Sequence, residues 1–134
     1  MNSINQRKHA FTKLGEYLKL LTPSLIKSEQ RIEILEKLDA SDKEKLHLVH
    51  EQILEYIEYS THYNTWFTQE FLLSAIHSIG ESLALSKMNQ WLEKYENKLH
   101  QDTPPKTIGV VMAGNLPLVG FHDYLSVLIS GNKL

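Results

Sequence analysis

At 134 residues, with 14 Lys and Arg against 16 Asp and Glu and a formal charge of -2, the chain is about one domain long. No basic stripe interleaved with aromatics is present to track a phosphate backbone, so no nucleic-acid partner is expected. The absence of cysteine rules out a disulfide framework, a thiolate metal site and a cysteine nucleophile within these residues.

The opening MNSINQRKHAFTK lacks the basic and then apolar regions of a signal peptide. No apolar run reaches the roughly 20 residues of a membrane span, and a cytoplasmic location with no membrane span is expected. From Gln6 to Leu21, Phe11, Leu14, Leu18 and Leu21 recur at intervals of three and four, with Ala10 and Tyr17 widening the stripe. This spacing predicts an amphipathic helix that Thr22-Pro23 ends. Ser24 can cap a second helix carrying Leu25, Ile32, Leu35 and Leu38, which the run Asp39 to Asp42 breaks or kinks.

Ser41 or Asp42 then caps the longest periodic segment, expected to reach about Ser60. Leu46, Val49, Ile53 and Ile57 form its apolar face, and Glu44, Glu51, Glu55 and Glu58 are read as solvated surface. In HYNTWFTQEF, Trp66 and Phe67 stand before the capping residue Thr68 with Glu70 close behind, so the two aromatics are expected to fasten the start of a further helix to the core. Leu72, Ile76, Ile79 and Leu83 supply its apolar face. Ser86 is expected to cap the last of the series, with Met88, Leu92, Tyr95 and Leu99 in register and Trp91 beside them.

Residues 1–103 therefore read as a mostly α-helical N-terminal region, and the character changes at Gln101-Asp-Thr-Pro-Pro105. Ile108 to Met112 is a continuous apolar run centred on Val110 and Val111, the pattern of a strand covered on both faces. After Ala113-Gly114-Asn115, Pro117 suits the first turn of a helix that runs apolar on nearly all sides to a glycine cap at Gly131. Strand, turn and helix make the first half of a βαβ unit, and Lys133-Leu134 reads as the start of the second parallel strand. A strand buried on both faces needs sheet partners that these residues do not visibly encode, so the expectation is an incomplete chain, the front piece of something longer.

GVVMAGNLPLVGFHDYLSVLISGNK resembles the first βα unit of the LuxC-type fatty acyl-CoA reductases of the aldehyde dehydrogenase superfamily, and NTWFT at 64–68 is similar to a segment upstream in bacterial members. The resemblance is dense over about 106–134, thin over 60–100 and essentially absent before that. It implies that 104–134 begin an α/β, Rossmann-like NAD(P)-binding domain of an oxidoreductase. The implied enzyme reduces a fatty acyl thioester, such as an acyl-CoA, to a fatty aldehyde with NADPH or NADH through an acyl-cysteine intermediate. It further implies that Asn115 donates a hydrogen bond to the substrate oxygen from a helix N-terminus, and that the backbone of Met112, Ala113 and Gly114 lies along the nicotinamide end of the cofactor. The chain departs from the family in having no cysteine and no later glycine turn for a pyrophosphate, and the family's lysine on the next strand lies beyond Leu134 or is missing, so this piece is expected to be inactive alone.

Each candidate has an ordinary alternative. Asparagine tolerates turns and caps helices, so Asn115 has a structural reading beside the catalytic one. Gly114 reads as a turn residue that accepts positive φ and close backbone approach. Asp123 suits the N-terminal end of a helix dipole, and adjacent His122 points about 100° away, which argues against a dyad. His47 and His50 have a spacing compatible with a metal on one helical face, but no third ligand is evident, and no metal site is assigned. Trp66, Phe67 and Trp91 read as core anchors, with a stacked acyl or adenine partner as the other reading. GxGxxG is absent, because Gly109 and Gly114 are five apart. The rival to the reductase is a helical interaction or oligomerisation module, whose terminal strand pairs with a partner chain, as it would with the remainder of a parent chain or within a homo-oligomer.

Overall fold

The computed structural model describes residues 3–21, 43–100 and 103–134. Helix α1 spans Ile4–Leu20. It starts ahead of Gln6 because Ser3 Oγ accepts from the Gln6 N–H at 3.3 Å while Gln6 Oε1 accepts from the Ser3 N–H at 2.7 Å. This reciprocal pair satisfies two donors that a helix start would otherwise leave open. Ile4, Phe11, Gly15 and Tyr17 are buried, Leu14 and Leu18 are half-buried, and Ala10 faces water. The helix expected after Ser24, and the capping role of Ser41 or Asp42, lie outside the described residues.

Helix α2 covers Lys43–Tyr63, one turn longer than expected. Its buried line runs through His50, Leu54, Ile57 and Ser60, whereas Val49 is exposed. The expected face is thus rotated, because His50, surface-like by residue type, meets the Tyr17 hydroxyl inside the protein. Helix α3 covers Gln69–Ser82, capped as expected by Thr68, whose Oγ1 accepts from the Phe71 N–H at 3.2 Å. Buried Ser60 fixes the intervening loop, its hydroxyl lying 2.9 Å from the carbonyls of both Ile57 and Phe67.

Helix α4 covers Leu85–Leu92, a 3₁₀ turn Glu93–Tyr95 follows, and α5 is the single turn Glu96–Leu99. Ser86 is not the cap, since Ala84 holds that position without a side-chain hydrogen bond and Ser86 lies within the first turn. Met88 and Leu92 are buried and Trp91 and Leu99 half-buried, while Tyr95 is exposed where the 3₁₀ turn shifts the register.

Two apolar clusters share α1. Tyr17 and Leu21 join Leu54, Ile57, Leu73 and Ile76 in one, and Ile4 and Phe11 join Leu83, Met88, Leu92, Leu125 and Ile129 in the other. Leu14 and Leu18 touch both. Each wholly buried side chain, such as Ile57, Leu83, Met88 or Ile129, contributes about 1.5–3 kcal/mol of transfer free energy. Helices α1 and α3 pack closely: a Cβ added at Gly15 would stand 2.7 Å from Leu83 Cβ and 3.0 Å from the Gly80 carbonyl oxygen.

Helix α6 covers Phe121–Ile129. It starts later than Pro117 because Leu118 takes a φ of +57°, which a right-handed helix cannot contain. Its end follows the expected glycine cap: Gly131 has a φ of +89°, its N–H donates to Leu128 C=O at 3.0 Å, and the Asn132 N–H donates to Val127 C=O at 3.2 Å. Arg7 Nε donates to Ile129 C=O at 2.9 Å, tying this helix end to α1. Burial lowers the pKa of the Arg7 guanidinium from its ordinary value.

Among the described residues there is no β-strand, so the two-face-buried strand at Ile108 to Met112 is not formed within them. One parallel bridge pairs Thr107 with Lys133. The Ile108 N–H donates to Lys133 C=O and the Lys133 N–H to Lys106 C=O, each at 2.9 Å. Beyond it Val111 is 101% exposed, because no described neighbour lies alongside 109–113 to continue a ladder. No described helix is long and apolar enough to cross a membrane.

Two substitutions test this packing. Gly15→Ala is expected to lower the urea midpoint by about 1–3 kcal/mol equivalent despite alanine's better helix propensity, because neither Leu83 Cβ nor the Gly80 carbonyl can yield. Gly80→Ala should lower it by a similar amount, since its Cβ would stand 2.8 Å from Lys19 Cγ and 3.1 and 3.2 Å from the Gly15 carbonyl oxygen and the Lys19 backbone nitrogen. Gly131→Ala should cost about 1–2 kcal/mol through its positive φ. The Asn variant should recover part of that loss in the same denaturation series.

Candidate functional site

The turn that carries Asn115 is set by the loop between α2 and α3. Asn64 Oδ1 accepts from the Trp66 N–H at 3.0 Å, closing a local turn, while its Nδ2 donates to Gly114 C=O at 3.3 Å. One amide side chain thereby joins segments 50 positions apart. Between them lies a cleft of about 400 Å³, within the size range of small-molecule sites. Trp66, Phe71, Leu116 and Pro117 give it apolar walls, and Asn115, Thr65 and Thr68 supply polar groups.

Trp66 is 79% exposed and so does not fasten α3 to the core. Its indole lines the cleft, and Phe67 is half-buried without joining either core cluster. Asn115 is an exposed side chain at a bend, with α6 beginning only at Phe121, so its amide is not at a helix N-terminus. What it offers is a side-chain donor beside apolar surface, suited to an oxygen acceptor carried on an apolar body.

Of the three residues proposed for cofactor contact, Met112 and Ala113 precede the bend and Gly114 begins it, and all are exposed. Gly114 has no positive φ and open space where a Cβ would be, so the turn does not require glycine there. Near this turn a steric reason for glycine is found at Gly120, whose Cβ position is filled by the Met112 side chain. Neither Gly120 nor Asn64 was singled out by sequence. Asn followed by Thr-Trp before a cap is the available turn signal for Asn64, and Gly120 carries none.

His47 and His50 do not share a site. His47 is exposed, whereas His50 is buried with its Nδ1 2.9 Å from the Tyr17 hydroxyl and its ring edge-on to the phenol. Among the described residues no group of three His, Asp or Glu side chains is placed to hold a metal ion. Burial, with a smaller contribution from Glu51, pushes the Tyr17 pKa up to about 12. Asp123 lies in the first turn of α6, and His122 packs at a tilt on Trp91 with ring centroids 5.1 Å apart.

Compared with family models, with curated proteins and with solved structures, the chain returns no match.

Burial of the Tyr17 phenol sets an alkaline limit. A phenol whose pKa is higher folded than unfolded keeps its full contribution below the unfolded value of 10.0, then loses it as pH rises towards about 12. Denaturation across that window is expected to show a steeper loss of stability for the native chain than for Tyr17→Phe. Below it, Tyr17→Phe should be the less stable by about 0.5–1.5 kcal/mol, the worth of the hydrogen bond.

Proposed function

We propose that this chain is the N-terminal part of an NAD(P)H-dependent acyl-CoA reductase, in which Asn115 is the donor to the substrate oxygen. The observation that carries the reading is the parallel pairing of 106–108 with Lys133 across α6, a connectivity in the sense of a βαβ crossover. It coincides with the stretch whose residues resemble the reductases. The cleft beside Asn115 adds a place for an apolar acyl body next to an amide donor.

As a nucleophile adds to a thioester carbonyl, negative charge grows on the oxygen. An amide N–H already aimed there stabilises it by about 3–4 kcal/mol. Asn115 supplies that donor, and Trp66 and Phe71 exclude water from one side of the acyl group. The exposed backbone at 112–114, with open space over Gly114, fits the nicotinamide end of NADPH or NADH, which supplies hydride when bound. The nucleophilic thiol must come from outside these 134 residues, which contain none.

The second reading, a helical interaction module whose terminal strand pairs with a partner chain, is favoured by one observation. Val111 is wholly exposed on a segment that makes no backbone hydrogen bond with the described residues over 109–113. Native mass measurement combined with a nicotinamide-cofactor titration separates the two, since a stable assembly indifferent to cofactor belongs to the module. For the reductase, Asn115→Ala in the polypeptide that carries the thiol is expected to lower kcat for thioester-dependent NADPH oxidation by about 10²–10³. KM for the acyl donor should stay within a few-fold, and an unchanged kcat would remove Asn115 from the chemistry.

A further inference from the structure

A second cleft, sharing no lining residue with the one at Asn115, runs between α4–α5 and α6 and holds about 350 Å³. One wall is Trp91, Tyr95 and Lys98, at intervals of four and three along the turn from α4 to α5. The facing wall is His122, Ser126 and Ser130, at intervals of four along α6 and its cap. Leu92, Leu99 and Ile129 also line it, and two of these, Leu92 and Ile129, belong to the buried core. Trp91 and His122 bring the two walls into ring contact at 5.1 Å, and Lys98 stands two helical turns further along its wall than Trp91.

The rim is chemically one-sided. It includes a lysine, a histidine, a phenol and two hydroxyls, and no carboxylate. Ser130 is committed, donating to Val127 C=O at 2.8 Å and accepting from Asn132 Nδ2 at 3.0 Å. Lys98, Tyr95 and Ser126 make no side-chain hydrogen bond or ion pair with the described residues. An aliphatic lining under uncommitted donors and one cation is complementary to a molecule with a hydrocarbon body and a single negative end.

We propose that this slot binds an aliphatic monocarboxylate, with the chain over Leu92, Leu99 and Ile129 and the carboxylate at Lys98 with the Ser126 hydroxyl as a further donor. Because Lys98 is exposed, the anion keeps part of its hydration and the ammonium adds selectivity without burying a charge. Carbon chains ending in a neutral hydroxyl gain the apolar contact but not the charge-assisted hydrogen bond.

Trp91 is a built-in reporter. In a Trp66→Phe chain, whose substitution lies at an exposed side chain, Trp91 is the sole tryptophan. Its fluorescence is to be followed while decanoate, below its aggregation threshold, is added to the 134-residue chain, with decanol as the neutral probe. The expected result is a saturable change with decanoate, about tenfold weaker binding for decanol and for Lys98→Gln, and retention in Lys98→Arg, all with unchanged urea midpoints. Asn115→Ala should leave the titration as it was, which separates this slot from the other cleft and from the reductase reading. No saturable change with decanoate, equal response to decanol, or a titration undisturbed by Lys98→Gln overturns the proposal. A Lys98→Gln chain with a lowered urea midpoint is replaced by Ser126→Ala, where a loss of decanoate-over-decanol preference supports it and its persistence counts against it.

Discussion

The crossing of α1 and α3 at Gly15 and Gly80 is the contact on which the other placements depend. With no side chain on either helix at that point, backbone meets backbone, and the Leu83 side chain closes over Gly15. Such an approach gains dispersion contacts that bulkier residues would hold apart. It also fixes α1 as a common wall. One set of its side chains completes the cluster with α2 and α3, and another completes the cluster with α4 and α6. Lys19 and Lys87 both reach Glu81 near this crossing, at 3.7 and 3.9 Å, but exposed pairs of this kind add little, and the apolar fit carries the stability.

From α1 the order propagates to the C-terminal segment through a few polar contacts with well-defined roles. Arg7 holds the last carbonyl of α6, and its guanidinium lies against Gly131. That glycine turns the chain so that Asn132 accepts from the Lys106 N–H at 2.9 Å and Lys133 pairs with Thr107. A positive charge at the helix C-terminus opposes the accumulated carbonyl dipoles, so the arrangement is favourable electrostatically as well as by hydrogen bonding. The parallel bridge is therefore the end of a chain of contacts that begins inside the helical region.

The stretch that follows the bridge has a different balance. Its backbone groups over 109–113 meet no described partner, and Val111 presents its whole side chain to water. An edge of this kind invites another strand. The reductase reading and the interaction reading both answer that demand, one with strands of the same polypeptide and the other with a partner. The reductase reading puts its functional surface where the loop at Asn64 meets the turn at Asn115, whereas the interaction reading puts it along 109–113.

By itself, the sequence was enough to establish the helical character of the described N-terminal residues, the caps at Thr68 and Gly131, the dipole position of Asp123 and the break in character near the two prolines. These are local properties, set by side-chain spacing, cap chemistry and the left-handed backbone that glycine accepts. Tertiary structure alone decided that His50 faces Tyr17 rather than water, that Trp66 lines a cleft rather than the core, and that Ser86 is not a cap. It also decided that Leu118 postpones α6, that Gly120 makes room for Met112, and that the Val110 segment forms no strand with the described residues. Residue type records a tendency to be buried or to bend. Which tendency prevails depends on neighbours that arrive from distant parts of the chain, as Asn64 arrives at Gly114, and pattern within a short window carries no record of them.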